Sequence, residues 1–142
     1  MHVLELPPST ESVPAARRFV RAQLSSAHVD VDTAALLVSE VVTNAVLHAR
    51  TALTLSVGEI GTVAHIEVAD GSPRRPRLHA FSPTSGTGRG LRMLDQLAER
   101  WGVKVDPVTG GKVVWFDVGE PSEEAWADGS HDWLAEGVLD EH

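Results

Sequence analysis

The chain has 142 residues, 12 Lys and Arg against 20 Asp and Glu, a formal net charge of −8 and no cysteine. That length suffices for one domain with its own core, and the lack of cysteine excludes a disulfide framework, thiol catalysis and cysteine-based zinc sites. Residues 1–118 hold all 12 basic residues and 12 of the acids, whereas residues 119–142 hold the other 8 acids and no Lys or Arg, so neither part has the basic excess of a nucleic-acid surface.

Val3-Leu4-Glu5-Leu6 reads as a short strand stopped by Pro7-Pro8. This start has neither the basic nor the apolar region of a secretory signal, and no uninterrupted apolar run approaches the roughly 20 residues of a membrane span; a cytoplasmic protein is expected. Ser12-Val13-Pro14 marks a helix start, with proline in the first turn. Phe19, Val20 and Leu24 form that helix's apolar stripe, and Arg17, Arg18 and Arg21 its polar side. The arginines are either a solvated face or a surface for an acidic partner.

Asp30 or Asp32 can cap a second helix running to about Ala49. Within it Glu40, Asn44 and His48 recur at intervals of four, so a carboxylate, an amide and an imidazole share one stripe. Leu37, Val41 and the flanking aliphatics cover the rest of the cylinder. Each polar residue alone reads as a self-satisfied patch. Three in register inside a mostly apolar helix point to a site, because burying them without a partner is costly.

The period then changes to two. Leu53 to Val57 and Val63 to Val68 alternate about a turn expected at Gly58 to Gly61, giving an antiparallel hairpin. Asp70-Gly71 follows: Asp70 is either a turn former or a buried carboxylate accepting from an exocyclic amine, with Gly71 admitting a flat ring close to the backbone. Gly71 to Gly90 is rich in Gly, Pro, Ser and Arg without periodicity, the mark of a functional or mobile loop. It ends in Gly86-Thr87-Gly88-Arg89-Gly90-Leu91, whose alternating glycines leave backbone N–H groups for an anion at the start of a helix. Leu91, Leu94, Leu97 and Ala98 form that helix's stripe. Trp101 to Val105 and Lys112 to Val118 read as a second hairpin. The order β, α, α, β, β, loop, α, β, β implies an α+β two-layer sandwich, a mixed, mostly antiparallel sheet with helices on one face. Residues 1–118 form this domain. The acidic tail, 119–142, carries Trp126, Trp133 and Leu134 as a candidate docking segment for the domain or a partner.

Ser39 to His48, Asp70-Gly71 and Gly86 to Leu91 together resemble the N-box and the first and second glycine boxes of the ATP-binding domain shared by gyrase, histidine kinases, mismatch-repair ATPases and heat-shock chaperones. They are most similar to the small bacterial branch of anti-sigma factor serine/threonine kinases. The resemblance spans about Val3 to Val118 and implies the Bergerat-type ATP-binding fold. It implies Asn44 as a ligand of Mg²⁺, Glu40 as general base, and Asp70 as acceptor from the adenine amino group beside Gly71. It implies that Gly86, Thr87, Gly88, Arg89, Gly90 and Leu91 wrap the phosphates of ATP beneath a lid formed by residues 72–87. His48 either lines the phosphate end or simply packs there.

Two departures stand out. Asp70-Gly71 continues as Ser72-Pro73 without the family's frequent second glycine, and at Gly110-Gly111-Lys112-Val113-Val114 valine 113 occupies the place where threonine is expected to bond Asp70 or a bridging water. No phosphoacceptor-histidine domain precedes the module, so a histidine-kinase role in isolation is not expected. The resemblance implies a kinase that binds a sigma factor and phosphorylates an anti-anti-sigma antagonist, with homodimerisation through the first strand and helix. The alternative is a non-catalytic module gated by ATP or ADP.

Overall fold

The computed structural model describes residues 1–71, 89–108 and 110–121. The glycine-box residues Gly86, Thr87 and Gly88, the expected lid and nearly all of the acidic tail lie outside them. In chain order the elements are β1 (His2–Leu6), α1 (Ser12–Gln23), α2 (Val31–His48), β2 (Leu53–Ile60), β3 (Val63–Asp70), α3 (Arg89–Leu97), β4 (Arg100–Val105) and β5 (Lys112–Val118).

Each boundary has a local cause. Asp30, not Asp32, caps α2, accepting from the Thr33 backbone N–H at 3.1 Å, which satisfies one of the donors a helix start leaves over. The Asp30 N–H in turn donates to the Gly119 carbonyl at 2.9 Å, tying that helix start to the end of β5. The first hairpin is tighter than the sequence suggests. Gly58 is inside β2, and the turn is Gly61-Thr62 between the paired Ile60 and Val63. Gly61 has a φ of 64°, the left-handed conformation that a two-residue hairpin requires and glycine adopts without strain.

The sheet runs in the order β1-β2-β3-β5-β4, and all four neighbouring pairs are antiparallel. No described pair is parallel, so the two-layer α+β arrangement is built on a purely antiparallel sheet. One sheet face is covered: α1 lies against β1 and β2, and α2 against β3 and β5, with α3 beside α2. Leu53, Leu55 and Val57 of β2, Ala64, Ile66 and Val68 of β3, and Val114, Phe116 and Val118 of β5 point into that layer and are buried. Val20 of α1 and Leu24 just after it, Leu37, Val38 and Val42 of α2, and Leu94 of α3 meet them there. Each fully buried aliphatic of this kind contributes roughly 1.5–3 kcal/mol.

By length and a mean hydropathy of 1.2, Val31–His48 would pass as a membrane span, the one described helix to do so. Its apolar side chains are spent on the core: nine of its residues are buried.

Candidate functional site

The stripe on α2 is graded in depth. Asn44 is buried at 3% exposure, Glu40 one turn earlier is half-buried, and His48 at the last turn is exposed. The neighbouring hydroxyls are satisfied along the helix itself: Ser39 Oγ donates to the Ala35 carbonyl at 2.9 Å and Thr43 Oγ1 to the Ser39 carbonyl at 2.7 Å. Such back-bonding keeps short polar side chains inside an apolar helix at little cost.

Two of the three α1 arginines turn toward α2. Arg17 Nη1 donates to Ser39 Oγ at 3.2 Å, and Arg21 pairs with Asp32 at 2.8 Å. Arg17 therefore braces the helix one residue before Glu40. Arg18 is exposed.

Chain connectivity brings the second motif to the same end of the molecule. The turn leaving α2 enters β2 at Leu53, whose register partner is Asp70, the last residue of β3. The Gly71 N–H lies 3.2 Å from both the Ala52 carbonyl and Thr51 Oγ1, so Asp70-Gly71 is held to the segment just beyond the polar stripe. Asp70 follows Ala64, Ile66 and Val68 in parity and is buried at 8%. It is a buried carboxylate, and the exposed-turn reading does not apply to its side chain. Arg89, Gly90 and Leu91 form the first turn of α3, packed beside α2.

The third glycine region departs most from expectation. Ala69 pairs with Val113, which puts Val113 on the sheet face away from Asp70, because successive strand residues alternate sides. The residue that meets Asp70 is Lys112. Its backbone N–H donates to Asp70 Oδ1 at 3.3 Å, and its Nζ lies 3.6 Å from Asp70 Oδ2, with the two side chains only 6% and 5% exposed. Burial pushes the Lys112 ammonium below the usual lysine range, and Asp70 opposes that push. The sequence offered one signal for this placement: Lys112 shares parity with Val114, Phe116 and Val118.

On the opposite sheet face lies a polar group that no sequence motif marked. His65 Nδ1 is 2.5 Å from Asp117 Oδ1 and Nε2 is 2.8 Å from Glu67 Oε2. Arg100 reaches Asp117 at 3.1 Å, and Lys104 lies 3.7 Å from Glu67. The Trp115 ring stacks on His65 with centroids 5.7 Å apart. It lies over Gly102, where a Cβ would come within 2.8 Å of the indole nitrogen. Burial alone would lower the imidazole pKa. Its bonds to Glu67 and Asp117 outweigh that, and His65 titrates above its ordinary value.

The chemistry of the first site suits a nucleotide and a hard cation. Among the described residues no group of three or more His, Asp or Glu side chains is placed to hold a metal. The buried Asn44 amide oxygen is a hard donor of the kind Mg²⁺ accepts, and Mg²⁺ usually takes only one or two protein oxygens, completing its shell with phosphate and water. The buried Asp70–Lys112 pair sets an acceptor beside a donor, which complements the edge of a nucleobase.

The family model of the histidine kinase-like ATPase domain matches residues 6–118 of the chain. Comparison with curated proteins returns no match. Among solved structures the chain is similar to the NMR structure of the histidine kinase domain of the E. coli osmosensor EnvZ, with 20% sequence identity, 86% of this chain and 90% of that chain covered, and a TM-score of 0.47.

Proposed function

Since the chain belongs to the histidine kinase-like ATPase domain family, we propose that it binds Mg²⁺ and ATP and acts as an anti-sigma factor-like protein serine/threonine kinase, phosphorylating an anti-anti-sigma antagonist and switching partners with nucleotide state. One observation carries the reading. Glu40 and Asn44 stand one turn apart on the core helix, and the segment that follows this helix holds Gly71 beside the buried Asp70. A module that only binds nucleotide has no need of a carboxylate one turn from the metal-ligating amide.

The roles follow from the side chains. Asn44 holds the cation through its amide oxygen, and Asp70 accepts from the adenine amine. Mg²⁺ bound there would neutralise charge on the β- and γ-phosphates. Glu40 accepts the proton of the substrate serine hydroxyl as that oxygen bonds the γ-phosphorus and the bond to the β–γ bridging oxygen breaks, leaving ADP. On the protein side, the exposed Arg18 offers a cation to an acidic sigma-factor surface.

The test is binding of ATP with Mg²⁺ to the wild type and to Asn44→Ala, together with phosphoryl transfer to candidate antagonists by wild type and Glu40→Gln. Asn44→Ala is expected to lose the Mg²⁺-dependent part of binding. Glu40→Gln is expected to keep binding and to lose about 10²–10⁴-fold in transfer, the usual contribution of a general base. Tight ATP binding without transfer to any serine-bearing antagonist would replace the kinase with the nucleotide-gated interaction module.

A further inference from the structure

The sheet face turned away from the helices holds a groove of about 530 Å³, room for several side chains of a docked segment. In strand order it runs from Ile60 and Val63 through the stacked His65 and Trp115 to Arg100 and Lys104. Its apolar side is not spent on the core, since Ile60 is 77% exposed. Its charges are layered. The carboxylates of Asp117 and Glu67 lie deeper, at 4% and 28% exposure, whereas Arg100 and Lys104 are 77% and 58% exposed. Solvent therefore meets a cationic rim beside apolar surface, a combination that selects an occupant with carboxylates and large apolar side chains.

We propose that this occupant is the chain's own acidic segment, residues 122–142, with Trp126 anchored beside Ile60 and Trp115 and the neighbouring carboxylates at Arg100 and Lys104. The chemistry matches: all the acids beyond residue 118 except Glu120 fall in that segment, which has no Lys or Arg and carries Trp126, Trp133 and Leu134. The position matches as well. Val118, the last residue of β5, pairs with Ala64, and Asp117 pairs with Arg100, so the chain leaves the sheet at the groove's own end. The Gly119 carbonyl accepts the Asp30 N–H at 2.9 Å, which fixes that exit, and Gly119 and Pro121 are residue types of a chain reversal. Reach is ample. From Val118 back to Trp115 along β5 is roughly 10 Å, whereas the chain from Val118 to Trp126 spans up to about 26 Å when extended. A second copy in the groove would set one cationic rim against another, while the tethered segment brings the opposite charge at high local concentration. The proposal concerns the sheet face opposite Asp70 and is independent of the nucleotide reading.

The chain has no cysteine, so a pair of introduced thiols reports a single contact. In the full chain, Ala127→Cys is combined either with Ile60→Cys in the groove or with Ser26→Cys on the exposed turn after α1. Ser26 is close in sequence to Asp30, which holds the exit of the tail, so an undocked tail meets it at least as readily. Ile60 and Ser26 are both exposed, and neither substitution disturbs the core. Disulfide formation is followed by mass spectrometry in a glutathione redox buffer at low protein concentration. The Ile60 pair is expected to close within one chain about tenfold faster than the Ser26 pair, because docking raises the effective concentration of its thiols. Salt at about 0.5 M, which screens the rim charges, and Trp126→Ala, which removes the anchor, are each expected to shrink that preference. Equal rates for the two pairs overturn the proposal, as does faster closure at Ser26. Disulfides that form between chains overturn it in favour of a second copy on this face. A preference that survives both salt and Trp126→Ala also overturns it, since neither the rim charges nor the anchor would then hold the segment.

Discussion

Strands β3 and β5 carry ionic groups on both of their faces, and the two groups live in different solvents. Toward the helices, Asp70 and Lys112 form a buried pair with side chains 5% and 6% exposed. Toward the open face, Asp117 is as deeply placed at 4%, yet it belongs to a network in which Arg100 is 77% and His65 22% exposed. The deep pair has no water to take over when a partner is removed. The open-face network has spare partners and solvent at its rim. Ion pairs that look alike by distance thus differ in what they hold up: the first shapes a site, and the second joins three strands.

The strongest way to break this contrast is Asp70→Ala. With its carboxylate gone, Lys112 keeps a buried ammonium, and a loss of about 3–5 kcal/mol in unfolding free energy is expected by urea denaturation. The double variant Asp70→Leu with Lys112→Met should recover much of that loss, because a buried pair exchanged for apolar groups of similar volume is close to neutral. No recovery would show that the pair is held by more than its own desolvation.

A second, smaller effect concerns His65. Its ring faces Glu67 on β3 and Asp117 on β5, with Arg100 and Lys104 of β4 bound to those same carboxylates. A neutral imidazole has one N–H and can donate to only one of the two acids, so the folded state favours the imidazolium. Its folded pKa lies above the ordinary 6.5. Its contribution is therefore complete below about that value and is lost as pH rises through the higher folded one. Thermal stability is expected to decline across that window in the wild type, and the decline should be absent in His65→Gln. A wild-type profile identical to that of the variant would remove the imidazolium from the network.

Smallest of all is Lys104→Ala. Lys104 is 58% exposed and 3.7 Å from Glu67, so solvent already screens the pair, and a change within about 0.5 kcal/mol is expected by the same denaturation assay. A loss approaching that of Asp70→Ala would erase the distinction between the two faces.

Much of this arrangement was legible beforehand. The interval of four from Glu40 through Asn44 to His48, the alternation of β2 and β3 and an aspartate cap at Asp30 or Asp32 are patterns within single elements, and the structure keeps them, choosing Asp30 as the cap. The sequence left Asp70 open between a turn former and a buried carboxylate; the structure buries it, in parity with Ile66 and Val68. Lys112 was harder to place, because each parity of β5 mixes apolar residues with one charge: Val113, Trp115 and Asp117 on one, Lys112, Val114, Phe116 and Val118 on the other. A period of two cannot say which side of such a strand faces the core, and a lysine is by default assigned to water. The depth of His48 was equally closed to inspection, since a helical stripe fixes direction around the axis and says nothing of where the helix leaves the core.

By itself, then, the sequence determined the elements, their order and the motifs that place the chain in its family, because helical and extended periods, caps and glycine turns are written within a few residues of one another. Only the tertiary structure decided that Lys112 and not Val113 meets Asp70, and that His65, Glu67, Asp117 and Arg100 form one network. Both depend on the pairing of β3 with β5, whose partners, such as Ala69 and Val113, lie far apart in the chain, with β4 joined to β5 by a short hairpin. Register between such strands is set by the packing of the whole sheet against its helices, and a shift of one residue would have turned every one of these side chains to the other face.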